Sequence, residues 1–442
     1  MILIGNGRVF TRDEKKPFIE NGAVLIDGKV IKAVGKTEDL KKQYPEAEYK
    51  DARGRLVMPG FINTHMHYYS TFARGMALDN PPASTFSMIL ENLWWRLDKQ
   101  LTLDDVYYSA VGPMLDQIRS GVTTVIDHHA SPYAVPGSLF KIAEAAKDLG
   151  IRSNLCYEIS DRDGAKIKDE GIKESLDFVK YCNNEKDDMI KGLFGMHASM
   201  TISDETLDEV MSAAASVNSG FHVHSAEGIE DVADARAKYK MRVIERWYKR
   251  GVLNDKSIAV HCIHVTDDEI GMLADSKVAV VHNPESNMGN AVGVSPILDM
   301  MDKGVLLGLG TDGYTADMTE SYKVAGILQR HHTAKPYVAW GEVPQMLFEN
   351  NATITNRYLD GEVGKLKEGA LADVIIVDYK PPTPIDENNI NGHILFGVTG
   401  RHVDTTIVNG KIVMDERILV NIDEEALMAK SRELAQKVWD RI

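Results

Sequence analysis

Cysteine is scarce in this chain of 442 residues: Cys156, Cys182 and Cys262 are the whole supply, and no paired spacing links them. That argues against a disulfide framework and against a cysteine-rich zinc site, and it suits a reducing cytosol. Long hydrophobic runs are also missing. No stretch approaches the roughly 20 apolar residues that cross a bilayer. The N-terminus runs straight into Ile2-Leu3-Ile4-Gly5-Asn6-Gly7, with neither a basic n-region nor an apolar h-region. A soluble, unprocessed, cytoplasmic protein is expected. Positive charge is in deficit, and the formal net charge of -15 repels nucleic acids and anionic membranes. Neither is an expected partner, whereas small neutral or cationic substrates remain open. Internal repeats and low-complexity segments are absent, and 44% hydrophobic with 26% charged residues is the composition of an ordinary globular protein.

What is present is an alternation. Eight short runs rich in Val, Ile and Leu, at 57–64, 121–127, 151–157, 191–195, 220–223, 257–260, 277–281 and 304–310, are separated by longer stretches with helical patterning. Several of those stretches open on cap signals: Thr102-Leu103-Asp104-Asp105, Ser203-Asp204-Glu205 and Thr266-Asp267-Asp268-Glu269. Eight strands alternating with helices predict the α/β class and a (β/α)8 TIM barrel over 57–362. Residues 1–56 and 363–420 alternate as strands and turns instead. Neither half has strands enough for a core, so together they predict one composite β-sandwich. Residues 421–442 read as an exposed amphipathic C-terminal helix.

Polar clusters follow the apolar runs. In a strand the side-chain period is two, so His65 and His67 share a face and one strand end supplies two ligands. Neutral imidazole and carboxylate suit a divalent ion, and three histidines with one aspartate leave a position open for water. His65, His67, His224 and Asp312 meet that requirement. Each alone reads equally well as a hydrogen-bonded core histidine or a capping aspartate; four of them at barrel-strand ends weigh against that. His222 lies on the same strand face as His224, so spacing does not choose between them. His224 is nearer the strand end with Glu227 close behind, and His222 is taken as an interior polar residue. A metal acidifies its bound water toward neutrality, and Asp312 could both ligate and accept the released proton. Glu227 is the candidate acid that protonates the substrate, and His261 could position the water or relay a proton.

Pro59-Gly60-Phe61-Ile62-Asn63-Thr64-His65-Met66-His67 closely resembles the first-strand signature of the amidohydrolase superfamily. Further matches follow in order: Gly121-Val122-Thr123-Thr124-Val125-Ile126-Asp127, His224-x-x-Glu227, Ala259-Val260-His261-Cys262, His282-Asn283-Pro284-Glu285-Ser286-Asn287, Gly310-Thr311-Asp312-Gly313 and the run from Gly364 to Asp373. Together they cover nearly the whole chain. The set is similar to the aminohydrolase branch, which includes guanine and 8-oxoguanine deaminases and triazine-degrading enzymes, and most similar to the SsnA-type aminohydrolases. The resemblance implies a mononuclear site with His65, His67, His224 and Asp312 as ligands, and Glu227 and His261 in acid–base roles. It implies one divalent ion, zinc expected and iron(II) the alternative, and release of ammonia from an aminated purine, pyrimidine or triazine. The same site could instead displace halide or open a cyclic amide, and a non-catalytic scaffold is the rival from another class.

Two departures stand out. Binuclear relatives carry a carbamylated lysine at the fourth strand end, where this chain has Gly195-Met196-His197-Ala198-Ser199, so one metal is expected. After the eighth strand, Asn350-Asn351-Ala352-Thr353-Ile354-Thr355-Asn356 departs from the usual alanine-threonine pattern, which bears on helix packing. For substrate contacts, His197 and the loop bearing His282 and Asn287 match positions that bind the ring in relatives. His128-His129 resembles some oxopurine deaminases, and Arg74 could grip a carbonyl or carboxylate through its fork. A surface role for His129 and Arg74 stands equally open. Trp94-Trp95 could form a lid, with packing at a subunit interface the preferred role, and a homo-oligomer, dimer or higher, is expected.

Overall fold

Valine and isoleucine runs pair side by side when both their faces are buried. In the computed structural model, which describes residues 1–442, eight of them form one parallel sheet. These are Phe61–Met66, Val122–His129, Arg152–Ile159, Phe194–Met196, Phe221–Ser225, Ile258–His261, Ala279–His282 and Leu306–Leu309. A short extra strand, Ile190–Gly192, pairs with the third just ahead of the fourth. Helices cover the outside, and the caps read from the sequence are present. Thr102 and Asp105 form a capping box, as do Thr266 and Glu269, and the Ser203 side chain accepts from Thr206 N–H.

The sheet closes into a barrel between its first and eighth strands with little backbone pairing, the bridge of Met66 to Asp312. An asparagine replaces the missing ladder. Asn351 is fully buried; its Nδ2 donates to the carbonyls of Ile62 and Leu309, and its Oδ1 accepts from Leu309 N–H, each at 2.8 Å. The unusual Asn350-Asn351 pair therefore bears on barrel closure rather than on helix packing alone.

The first apolar run, expected as one strand over 57–64, is two. Leu56–Pro59 joins the terminal sheet, parallel to Ile2–Phe10 and antiparallel to Val374–Val377, and only Phe61–Met66 enters the barrel. Gly60 sits at the turnover because a Cβ there would lie 2.2 Å from the Thr123 methyl. Hydrophobicity is continuous across this point, so pattern alone could not divide it.

The chain termini build one hydrogen-bonded sheet of nine strands rather than two facing sheets. It folds over so that Val30 bridges to Leu371, enclosing Ile4, Val24, Val57, Ile376 and Ile407. The C-terminal helix, Glu424–Trp439, is docked rather than freely exposed: Leu434 and Val438 are buried, and Trp439 Nε1 donates to the Phe72 carbonyl at 2.6 Å. No helix is long and apolar enough to cross a membrane.

Candidate active site

All the strands point their C-terminal ends at one rim, where the polar residues gather. The ring of His67 is held by Nδ1 donating to the His128 carbonyl at 2.6 Å, and that of His224 by Nδ1 donating to the His197 carbonyl at 2.9 Å. A carbonyl can only accept, so each neutral ring carries its proton on Nδ1 and a lone pair on Nε2. Those two Nε2 atoms face each other at 3.2 Å. Burial, the leading cause, pushes the His67 imidazole below its ordinary pKa and the His224 imidazole well below it, so a proton is a poor candidate for the shared cation at neutral pH. Two opposed lone pairs in a dry interior fit a metal ion.

The rest of the donor set agrees. His65 Nδ1 lies 2.9 Å from His222 Nε2, while His65 Nε2 is buried with no partner in the protein. Asp312 Oδ1 lies 3.5 Å from His67 Nε2. The ligand-type atoms of His65, His67 and His224 lie within 4.8 Å of one another, as do those of His65, His261 and Asp312. Nitrogen and carboxylate oxygen, with backbone carbonyls orienting the rings from behind, make a set suited to zinc. The fifth strand presents both of its histidines inward. His224 is at the rim, and His222, one step deeper, supports His65.

Strained backbone marks the same rim: His261 and Asp312 adopt φ of 70° and 54°, which costs a non-glycine residue of order 1 kcal/mol and persists where the surroundings enforce it. Backbone N–H groups of Thr311 and Asp312 both donate to the His65 carbonyl at 3.0 Å. The metal-type residues of the first and eighth strands are thus fixed to each other directly.

Glu227 and His261 stand beside this cluster. Burial, then the charge of Asp312, pushes the Glu227 carboxyl well above its ordinary range. His261 Nε2 lies 3.4 Å from Glu227 Oε2 and 3.5 Å from Asp312 Oδ2. Its Nδ1 donates to Asn287 Oδ1 at 2.8 Å, which leaves Nε2 as the acceptor between two carboxyl groups.

A cavity of about 740 Å³, its mouth included, opens over these atoms. His67, His224, Glu227 and Asp312 reach it from the rim, and Tyr69, Phe86, Leu90, Trp94 and Trp95 form an aromatic and aliphatic side. Trp94 and Trp95 therefore both face the cavity, where a lid would lie. His197 also lines it, its Nδ1 2.7 Å from Thr201 Oγ1. The other expected substrate contacts do not line it. Arg74 is a surface residue paired with Asp116 at 3.2 Å. His129 is buried with Nε2 2.9 Å from Ser131 Oγ, and Asn287 and His282 stand one behind the other beyond His261.

Several lining residues escaped the sequence reading, the carboxylate Glu158 among them. Glu158 is the penultimate residue of the third strand, its side chain 4% exposed and Oε2 3.3 Å from His128 Nδ1. Burial raises its pKa, but His197, His128 and Arg162 outweigh that and hold it below the usual carboxylate range. A carboxylate inside the apolar run Leu155-Cys156-Tyr157-Glu158-Ile159 was the available signal.

An eight-stranded parallel barrel that collects imidazoles and carboxyl groups at its strand ends belongs to the class of barrel hydrolases. The profile of the Amidohydrolase family matches residues 56–413, and the chain belongs to that family. A second profile, the bacterial imidazolonepropionase-like composite domain, matches residues 22–47. The chain is 31% identical to a 5-methylthioadenosine/S-adenosylhomocysteine deaminase of Pelotomaculum thermopropionicum, over 100% of this chain and 99% of the relative. It is 32% identical to a 5'-deoxyadenosine deaminase of Methanosarcina mazei, with the same coverage. Among solved structures it is similar to an adenosine deaminase from Xanthomonas campestris with bound zinc, at a TM-score of 0.88 and 24% identity over 99% of this chain and 98% of that one.

Proposed function

We propose that the protein is a hydrolytic deaminase, releasing ammonia from an aminated nitrogen heterocycle of the aminopurine kind. The observation that carries this reading is the pair of opposed Nε2 atoms, 3.2 Å apart, beside a buried acid whose carboxyl is pushed up. The names of the full-length relatives support the same class of substrate.

His65, His67, His224 and Asp312 would hold one divalent ion, zinc expected, whose Lewis acidity when bound brings a water toward neutral pKa. Asp312 accepts the proton that the attacking water loses. Glu227 gives its proton to the ring nitrogen next to the amino-bearing carbon, which lowers the cost of putting electrons on that nitrogen. His261, within 3.5 Å of both carboxyl groups, relays the proton to the departing amino group. The C–N bond breaks, ammonia leaves, and the hydroxyl left on the carbon returns its remaining proton to Glu227, so that the carbon keeps the water oxygen as a carbonyl and the acid is restored. The aromatic side of the cavity stacks on the heterocycle and excludes bulk water. We also propose a cytoplasmic homo-oligomer, whose stoichiometry static light scattering reads.

The test is ammonia release by purified, metal-replete protein across purines, their nucleosides, pyrimidines and triazines. Ammonia with a carbonyl product of matching mass is expected. Silence across the panel with metal shown bound, or halide or a ring-opened acid as product, contradicts deamination.

A further inference from the structure

The cavity has a second polar feature that catalysis does not use. Its lining includes the carboxyl groups of Glu158, Glu227, Glu230, Asp231 and Asp312 and neither lysine nor arginine. Four of the five are accounted for: Glu227 and Asp312 in the reaction, Asp231 by accepting from Met200 and Ala226 N–H, and Glu230 by its half-buried place, open to solvent, at the rim. Glu158 remains. It is almost wholly buried, it faces the cavity, and apart from His128 Nδ1 at 3.3 Å no protein donor reaches it. A carboxylate so placed has acceptor capacity left over, and a buried acceptor without a donor is costly.

Position makes the deficit specific. One carboxylate oxygen of Glu158 lies within 4.8 Å of ligand-type nitrogens of His197 and His224, so whatever satisfies it sits at the reacting end of a bound molecule. Glu227 approaches from just past the fifth strand and Glu158 from the third. We infer that Glu158 is the specificity-determining residue of this cavity. It selects heterocycles whose reacting carbon carries N–H donors or a positive charge on the side away from Glu227, as in a protonated amidine or guanidine, over those that present a bare ring nitrogen there. This rests on the deaminase reading for the direction in which substrate lies, and it narrows that reading. A 6-aminopurine turns its one ring nitrogen beside the amino group to Glu227 and offers Glu158 only carbon on the other side of the reacting centre, whereas a heterocycle with a ring N–H on that far side, beside the reacting amino group, supplies the two donors that a carboxylate takes in bidentate fashion. Anionic substrates are disfavoured by the five carboxyl groups together, since the lining holds no lysine or arginine.

Calorimetric binding to metal-loaded protein tests this without turnover. Benzamidinium carries the donor fork and the charge, and benzamide is its neutral partner of nearly equal size. The expected result is that benzamidinium binds the wild type roughly ten-fold or more tightly than benzamide, and that Glu158→Gln abolishes the preference while metal content stays the same. Equal binding of the two by the wild type overturns the inference, and so does a preference that survives in Glu158→Gln. A metal content that drops in the variant also overturns it, by making Glu158 a ligand. Should Glu158→Gln fail to fold, the wild-type comparison still decides between preference and none. A clear preference accompanied by no ammonia from any heterocycle would leave Glu158 in place and remove the deaminase reading, so the two fail separately.

Discussion

Replacing Glu227 with glutamine isolates the proton that the mechanism needs. The side chain is 11% exposed, with Oε2 3.4 Å from His261 Nε2. Because His261 Nδ1 donates to Asn287, its Nε2 accepts, and a glutamine amide can donate to it in place of the carboxylic acid. The substitution therefore keeps size and hydrogen-bond partner and removes only the transferable proton. General acid catalysis contributes about 10² to 10⁴ in rate, or roughly 3 to 5 kcal/mol at about 1.4 kcal/mol per ten-fold. The variant should lose kcat by that range with metal content and thermal midpoint close to wild type. The pH profile gives a second reading. Burial and Asp312 hold the Glu227 carboxyl well above its ordinary pKa, so the acid form persists toward neutrality, and activity falls as pH rises through that value. Residual activity of Glu227→Gln should lack this falling limb. A variant with near-normal kcat, or one that has lost its metal, refutes the assignment.

Further outcomes concern fold and cavity. Asn351→Ala strips three bonds of 2.8 Å from the barrel seam and takes from the Leu309 N–H and the Ile62 carbonyl their partner there, at about 1 to 3 kcal/mol each, while the Leu309 carbonyl keeps the Thr64 hydroxyl at 3.0 Å; a thermal midpoint within a degree of wild type would show that the seam does not depend on it. In the chelated protein, His197 is lowered to about 4 and His282 to about 3, burial leading in both. Below the unfolded value of roughly 6.5 the unfolded chain binds more protons than the folded one, so stability falls from pH 6.5 down toward those values; a midpoint flat between pH 7 and pH 5 would contradict this. Trp95→Ala removes an aromatic wall beside His197, the rings 5.9 Å apart, and should raise KM about ten-fold with a smaller change in kcat. An unchanged KM would mean that substrate does not touch it.

The sequence makes the barrel legible because strands buried on both faces read as unbroken Val and Ile runs, and because histidines two apart at their ends must share a face. The same continuity hides a boundary: Leu56–Pro59 and Phe61–Met66 are one hydrophobic stretch serving two sheets. His222 shows a second limit. Period two places it inward with His224, but only the stacking of layers shows that it supports His65 at 2.9 Å. Glu158, Trp94 and Trp95 reach the cavity from separate elements, and Arg74 turns to Asp116; no local pattern encodes which loop folds over a rim and which turns away.

The central claim is that one cation is shared by His65, His67, His224 and Asp312. X-ray absorption at the zinc edge of the purified protein tests it most directly. The prediction is about one equivalent of metal with a first shell of nitrogen and oxygen only, at about 2.0 to 2.2 Å, lost in His67→Ala while circular dichroism is unchanged. A first shell containing sulfur, or metal retained in His67→Ala, would contradict it.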